Sequence, residues 1–178
     1  MRFLLPLLIF PGVAFSDCPP APDVSADVDG ILSELQAAPD ERTARGKFSA
    51  LWELWATAPD EAAQALLDRG MQARASYNFI DALDAFDRLV DYCPEYAEGY
   101  NQRAFVNFLR QDFEPALVDL DEALARRPNH VAAMSGKALT LIGLGRTGEA
   151  ELVLREALRL NPWLPERNLL PEFQGDKL

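Results

Sequence analysis

The chain has 178 residues, 49% of them hydrophobic, and carries 17 basic against 28 acidic side chains, a formal net charge of −11. That length is enough for one domain with its own core. The acidic balance speaks against nucleic acid as a partner, and against anionic membrane surfaces, both of which attract basic proteins.

The first sixteen residues differ in kind from the rest. Met1 and Arg2 supply one positive charge, Phe3 to Val13 is apolar, and Ala14-Phe15-Ser16 places small residues where a signal peptidase reads. The apolar run is shorter than the roughly 20 residues a membrane span needs, and Pro6 and Pro11 interrupt it. Residues 1–16 therefore read as a cleaved secretory signal, cut between Ser16 and Asp17, with the mature protein periplasmic or extracellular and not inserted in a membrane. An uncleaved interfacial anchor is the alternative. Phe15-Ser16-Asp17 is the wrong approach to Cys18 for a lipidated cysteine.

Residues 17–25 are Pro-rich, lack helical patterning and are expected to be extended and mobile. Residues 26–58 predict a helical pair. Ile31, Leu32 and Leu35 mark a helix ending near Ala37, and Ala44, Phe48, Leu51, Trp52 and Trp55 form the stripe of a second. Ala38-Pro39-Asp40-Glu41 returns as Ala58-Pro59-Asp60-Glu61, which puts proline and two acids in a first turn. Trp52 and Trp55 lie one step of 34 before Phe86 and Leu89, but Gln36 and Phe48 stand where small residues are needed. The pair is expected to be a degenerate repeat or an N-terminal cap hiding the open side of the first full repeat.

From 59 to 164 the chain repeats itself. Gly70, Ala104 and Ala138 are 34 residues apart, as are Ala82, Ala116 and Ala150; Phe86, Leu120 and Leu154; and Pro94, Pro128 and Pro162. The period defines three units, 63–96, 97–130 and 131–164, each a helix A, a short turn and a helix B. In the second unit these run from about Ala97 to Leu109 and from about Glu114 to Arg126. The small residues belong where A crosses B, since a packed interior tolerates little added volume. Asn78, Asp112 and Thr147 suit the N-cap of helix B, Pro115 fits its first turn, and the three late prolines end it. Residues 165–178 predict a short cap carrying Leu169 and Leu170, stopped by Pro171, with Phe173 in a tail.

In period and at most defining positions these residues resemble the tetratricopeptide repeat. The resemblance implies an all-α solenoid of antiparallel helix pairs, with an N-terminal helical pair and a short C-terminal capping helix. The chain as a whole resembles small exported bacterial proteins of that kind. It also implies that helix A lines a concave groove, with rows of Leu67, Asn101 and Ser135; of Met71, Phe105 and Leu139; and of Arg74, Phe108 and Ile142. Two rows are mainly apolar, as a recognition surface for a peptide or partner helix would be. The family's carboxylate clamp uses lysine and asparagine where this chain has Leu67 and Met71, so that clamp is not supported. The chain's own tail, through Leu169, Leu170 or Phe173, is the competing occupant.

Other features point away from chemistry. His130 is the only histidine, and two distant cysteines make no zinc site. The glycines of Gly143-Leu144-Gly145-Arg146-Thr147-Gly148 fall in an A-to-B turn with no strand before it, so they read as turn residues and not as a phosphate loop. No cofactor or metal is expected. Asp81, Asp84, Asp87 and Asp91 line one side of a helix, either as a solvated convex face or as an acidic docking stripe. In an oxidising compartment Cys18 can pair with Cys93; otherwise one thiol is buried and one disordered. The expected function is a non-enzymatic interaction module of the cell envelope with a protein or peptide partner. Self-association through the repeat ends is the alternative, and an enzyme a distant third.

Overall fold

Eight α-helices and one 3₁₀ turn account for the regular structure of residues 18–171, the part that the computed structural model describes. They are α1 (Ser25–Gln36), α2 (Glu41–Trp55), α3 (Glu61–Ala75), α4 (Phe79–Tyr92), α5 (Ala97–Leu109), α6 (Phe113–Arg126), α7 (Val131–Gly143) and α8 (Thr147–Leu160), then the turn Pro165–Leu169. The signal reading for residues 1–16 and the tail residue Phe173 lie outside the described residues. The expected A and B helices appear as α3 to α8 in antiparallel pairs, and each B helix stops one residue before the position preceding its proline.

Capping follows the sequence with local corrections. Asn78 accepts a hydrogen bond from the Asp81 amide and caps α4. Asp112 stands at the cap of α6 without a side-chain bond and pairs with Arg110 at 3.2 Å instead. Thr147 is the first residue inside α8, and Arg146 is its cap, held to Glu149 by two contacts of 2.7 Å. Pro39 and Pro59 sit outside their helices. The caps are Asp40 and Asp60, whose carboxylates accept from Thr43 N and Ala63 N. Each A-to-B turn needs one left-handed residue, filled by Tyr77 (φ 59°), Gln111 (φ 63°) and Gly145 (φ 73°) at the 34-residue step. Only Gly145 is thus a turn glycine in that sense. Gly143 ends α7, and Gly148 lies within α8.

Within each hairpin the small residues do what their spacing implies. Gly70, Ala104 and Ala138 on the A helices and Ala82, Ala116 and Ala150 on the B helices are all buried. Facing them, Phe86, Leu120 and Leu154 are at most 2% exposed. Arg103 donates to Asp119 of its own hairpin at 2.6 and 2.9 Å and to Asp87 of the preceding one at 2.9 Å, and Lys137 reaches Asp121 of its preceding hairpin at 2.6 Å. Asp84 meets Arg69 at 3.7 Å. All four members of the acidic run on α4 are exposed, with Asp84 and Asp87 spent on these ties.

The N-terminal pair is not where the repeat register puts it. Val28, Leu32, Leu35, Ala44, Leu51 and Trp55 share one buried cluster with Val131, Met134, Ala157 and Leu164. The pair therefore shares its core with the last repeat, and covering the first repeat is not its main packing. Gln36 and Phe48 supply the reason: they are too large to serve as crossing residues. Gln36 instead donates to the Arg159 carbonyl at 3.0 Å. Asn129 donates to Asp29 at 3.0 Å, and Arg167 lies 3.6 Å from Glu41. Residues 18–24 lack regular structure, as expected, but are fastened. Cys18 and Cys93 form a disulfide, Cα to Cα 5.1 Å across a sequence separation of 75, and Ala21 and Val24 pack on neighbouring cores. At the other end Leu170 is buried with Ala138 and Leu154, whereas Leu169 is exposed. The short capping helix is a 3₁₀ turn, and only one of its two expected leucines, Leu170, is covered.

Candidate recognition groove

Helices α3, α5 and α7 carry the three rows, and the structure separates them by depth. Leu67, Asn101 and Ser135 are buried. Met71, Leu139, Arg74 and Phe108 are half-buried, while Phe105 and Ile142 stay 43% and 39% exposed. Beneath the deepest row runs a buried polar chain. Glu98, 1% exposed, accepts from Asn101 Nδ2 at 3.1 Å, from Gln102 Nε2 at 2.5 Å and from His130 Nε2 at 2.8 Å. His130 Nδ1 accepts from the Ala133 amide, capping α7. With Nδ1 occupied as an acceptor, Nε2 is the ring nitrogen left to face Glu98.

Gln102 links this chain to the groove, because its Oε1 accepts from Arg74 Nη1 at 2.5 Å. Arg74 also lies over the Phe105 ring, 4.7 Å from its centre. Burial pulls the Arg74 guanidinium below its ordinary value, and the charge of Glu98 opposes that fall. At the far end Trp55 stacks on His130 with ring centres 4.0 Å apart. The Tyr96 hydroxyl donates to the Trp55 carbonyl at 2.7 Å, and burial drives that phenol's ionisation far up. The end of α2 is thus fixed to the groove floor.

Between α2 and the concave helices lies a chamber of about 430 Å³. Six of the nine residues assigned to the groove line it: Arg74, Asn101, Phe105, Phe108, Ser135 and Leu139. Leu67 and Met71 belong to the core of the first repeat instead, and Ile142 lies outside the chamber lining. The other walls come from Phe48 and Trp52 of α2 and from Leu164, Pro165 and Glu166. Sequence reasoning missed both walls. Phe48 and Trp52 sit four apart on an amphipathic helix, a signal that reports a buried face without naming what buries it. The chain's own C-terminal segment does border the groove, through Leu164 to Glu166 and not through Leu169. Among the described residues no three His, Cys, Asp or Glu side chains are grouped to hold a metal ion, and no helix is long and apolar enough to cross a membrane.

Known proteins share this architecture. A TPR repeat-containing protein of Rhizobium etli is 34% identical over 74 residues, 42% of this chain and 35% of its own length. A tetratricopeptide repeat protein 36 homolog of Nematostella vectensis is 37% identical over 65 residues, 36% of each chain. The similarity thus spans about a third of either relative's length. No family model matches. Among solved structures, the first TPR of Spaghetti (RPAP3) bound to the HSP90 peptide SRMEEVD superposes with a TM-score of 0.61 at 23% identity. That match covers 64% of this chain and 91% of the other. Over its described residues the chain has the tetratricopeptide-repeat fold, with eight α-helices packed as antiparallel pairs.

Proposed function

We propose that the protein is a non-enzymatic interaction module of the periplasm or cell envelope, holding a peptide or partner helix at the concave face. The observation that carries this is the exposure of large apolar side chains on the concave helices, Phe105 at 43%, Leu109 at 40% and Ile142 at 39%. Apolar surface of that kind marks recognition sites. The Spaghetti domain, of similar fold, holds the HSP90 peptide SRMEEVD. In this chain the position of the family's clamp lysine or asparagine is taken by Leu67, fully buried, so an apolar partner fits better than a C-terminal carboxylate. Export is supported by the Cys18–Cys93 disulfide, since such bonds persist in oxidising compartments.

The test is capture of a partner by the mature protein, Asp17 onward, from envelope extract, beside a variant carrying Phe105→Ala and Phe108→Ala. Loss of a captured protein with unchanged helicity is expected. Equal capture by the variant overturns the groove assignment. Self-association is a second reading, favoured by Val118 and Leu152, 62% and 70% exposed on adjacent B helices. Recovery of the protein alone would favour that second reading.

A further inference from the structure

The N-terminal pair is fastened unequally at its two sides. Both covalent links from it run to the first repeat: residues 56–60 lead from α2 into α3, and Cys18, ahead of α1, is bonded to Cys93 at the end of α4. Its buried apolar side chains instead share a core with the last repeat, where Val28, Leu32 and Leu35 join Ala157 and Leu164. The polar ties on that side are single contacts at the surface: Gln36 to the Arg159 carbonyl, Asn129 to Asp29, and Arg167 beside Glu41. Contacts of that kind contribute little each. Separation from the last repeat thus leaves the pair tethered twice to the first.

The docked position is also incompletely satisfied. Packed interiors leave few voids larger than a water molecule. Yet about 430 Å³ stays open between α2 and the concave helices, and Phe48 and Trp52 on its wall are only half-buried. Docking buries the indole Nε1 of Trp55 with no hydrogen-bond partner among the described residues, a cost that hydration removes when Trp55 lifts from His130. Helix α2 is thus held to the floor at its Trp55 end and covers the rest without filling it. We propose that α1 and α2 form a lid, hinged at residues 56–60 and latched on the last repeat, which swings open as one body and controls access to the groove floor. Closed, Phe48 and Trp52 wall the chamber that Asn101, Phe108 and Ser135 line; open, those floor residues are free to meet a partner. The inference rests on reading the concave face as the recognition groove.

Two measurements on the oxidised chain test the lid without a partner. In native-state hydrogen exchange, amides of α1 and α2 are expected to exchange through one shared opening while α3 to α6 stay protected. Cutting the surface ties with Gln36→Ala, Asn129→Ala and Arg167→Ala together is expected to speed that exchange about fivefold. Joining Asp29→Cys to Asn129→Cys with a short bis-maleimide is expected to slow it by about tenfold or more. For the second measurement, Ser135→Cys, near-isosteric and 7% exposed on the chamber lining, supplies the only free thiol, since Cys18 and Cys93 are bonded to each other. Its labelling by a bulky maleimide is expected to follow the lid, about fivefold faster with the three ties cut. Exchange of α1 and α2 only through global unfolding overturns the proposal. So does a labelling rate that the tie-cutting variant leaves unchanged, because the floor is then open whatever the lid does. Partner capture beside the double phenylalanine variant reads the groove separately: equal capture with a moving lid fails the groove reading alone, and lost capture with a static lid fails only this one.

Discussion

Gly70 shows how closely one hairpin is fitted. A Cβ built there would lie 2.4 Å from Phe86 Cε1, well inside contact distance. The two later repeats solve the same crossing with the pairs Ala104–Leu120 and Ala138–Leu154. Glycine with phenylalanine and alanine with leucine are two ways to divide one volume, so each small residue is constrained by its own hairpin. Gly70→Ala is expected to cost about 2 kcal/mol by overpacking. Adding Phe86→Leu should return most of that loss, because it recreates the combination of the other repeats. Urea denaturation of the two single variants and the double variant checks this, and a double variant no better than Gly70→Ala would refute the pairing. The crossing residues were legible in the sequence because this constraint is local and recurs at a fixed step. The buried Thr140 hydroxyl, which has no hydrogen-bond partner among the described residues, was not, since an unmet hydrogen bond leaves no mark on residue order.

At the scale of elements, the pairing of α3 to α8 was legible, and in the second hairpin α5 has the expected ends while α6 begins at Phe113, one residue before the expected start. Repetition, turn residues and terminating prolines all agree there, as they must when each unit builds the same local hairpin. The pair α1 and α2 was legible as two amphipathic helices but not in its place. Its stripe says only that one face is buried, and the register of Trp52 and Trp55 with Phe86 and Leu89 suggested the wrong neighbour. What positions α2 is Trp55 on His130, a contact across 75 residues of sequence that the 34-residue register does not report. His130 serves three elements at once: it caps α7, supplies a donor to the buried Glu98 and stacks under Trp55. His130→Ala is therefore expected to destabilise the protein by about 3 kcal/mol, since it leaves a buried carboxylate one donor short and removes a cap. A loss below about 1 kcal/mol in chemical denaturation would show that the polar chain is not structural.

For the molecule as a whole, the consequence is a solenoid whose concave face is partly occupied by its own N-terminal pair. The disulfide closes a loop that contains α1 to α4. By loop-closure entropy alone such a link can contribute up to about 4 kcal/mol. Docking of α1 and α2 on the last repeat converts an open groove into a rimmed chamber, and the remaining apolar rim is what the proposed partner meets. Chamber and rim both depend on which end of the array the N-terminal pair binds. Native-state hydrogen exchange on the oxidised protein, with Trp55→Ala beside the unaltered chain, reads that most directly. Amides of α1 and α2 are expected to lose protection together with those at the start of α7, while α3 and α4 keep theirs. Loss confined to α1, α2 and α3, with α7 unchanged, would place the pair on the first repeat and contradict this arrangement.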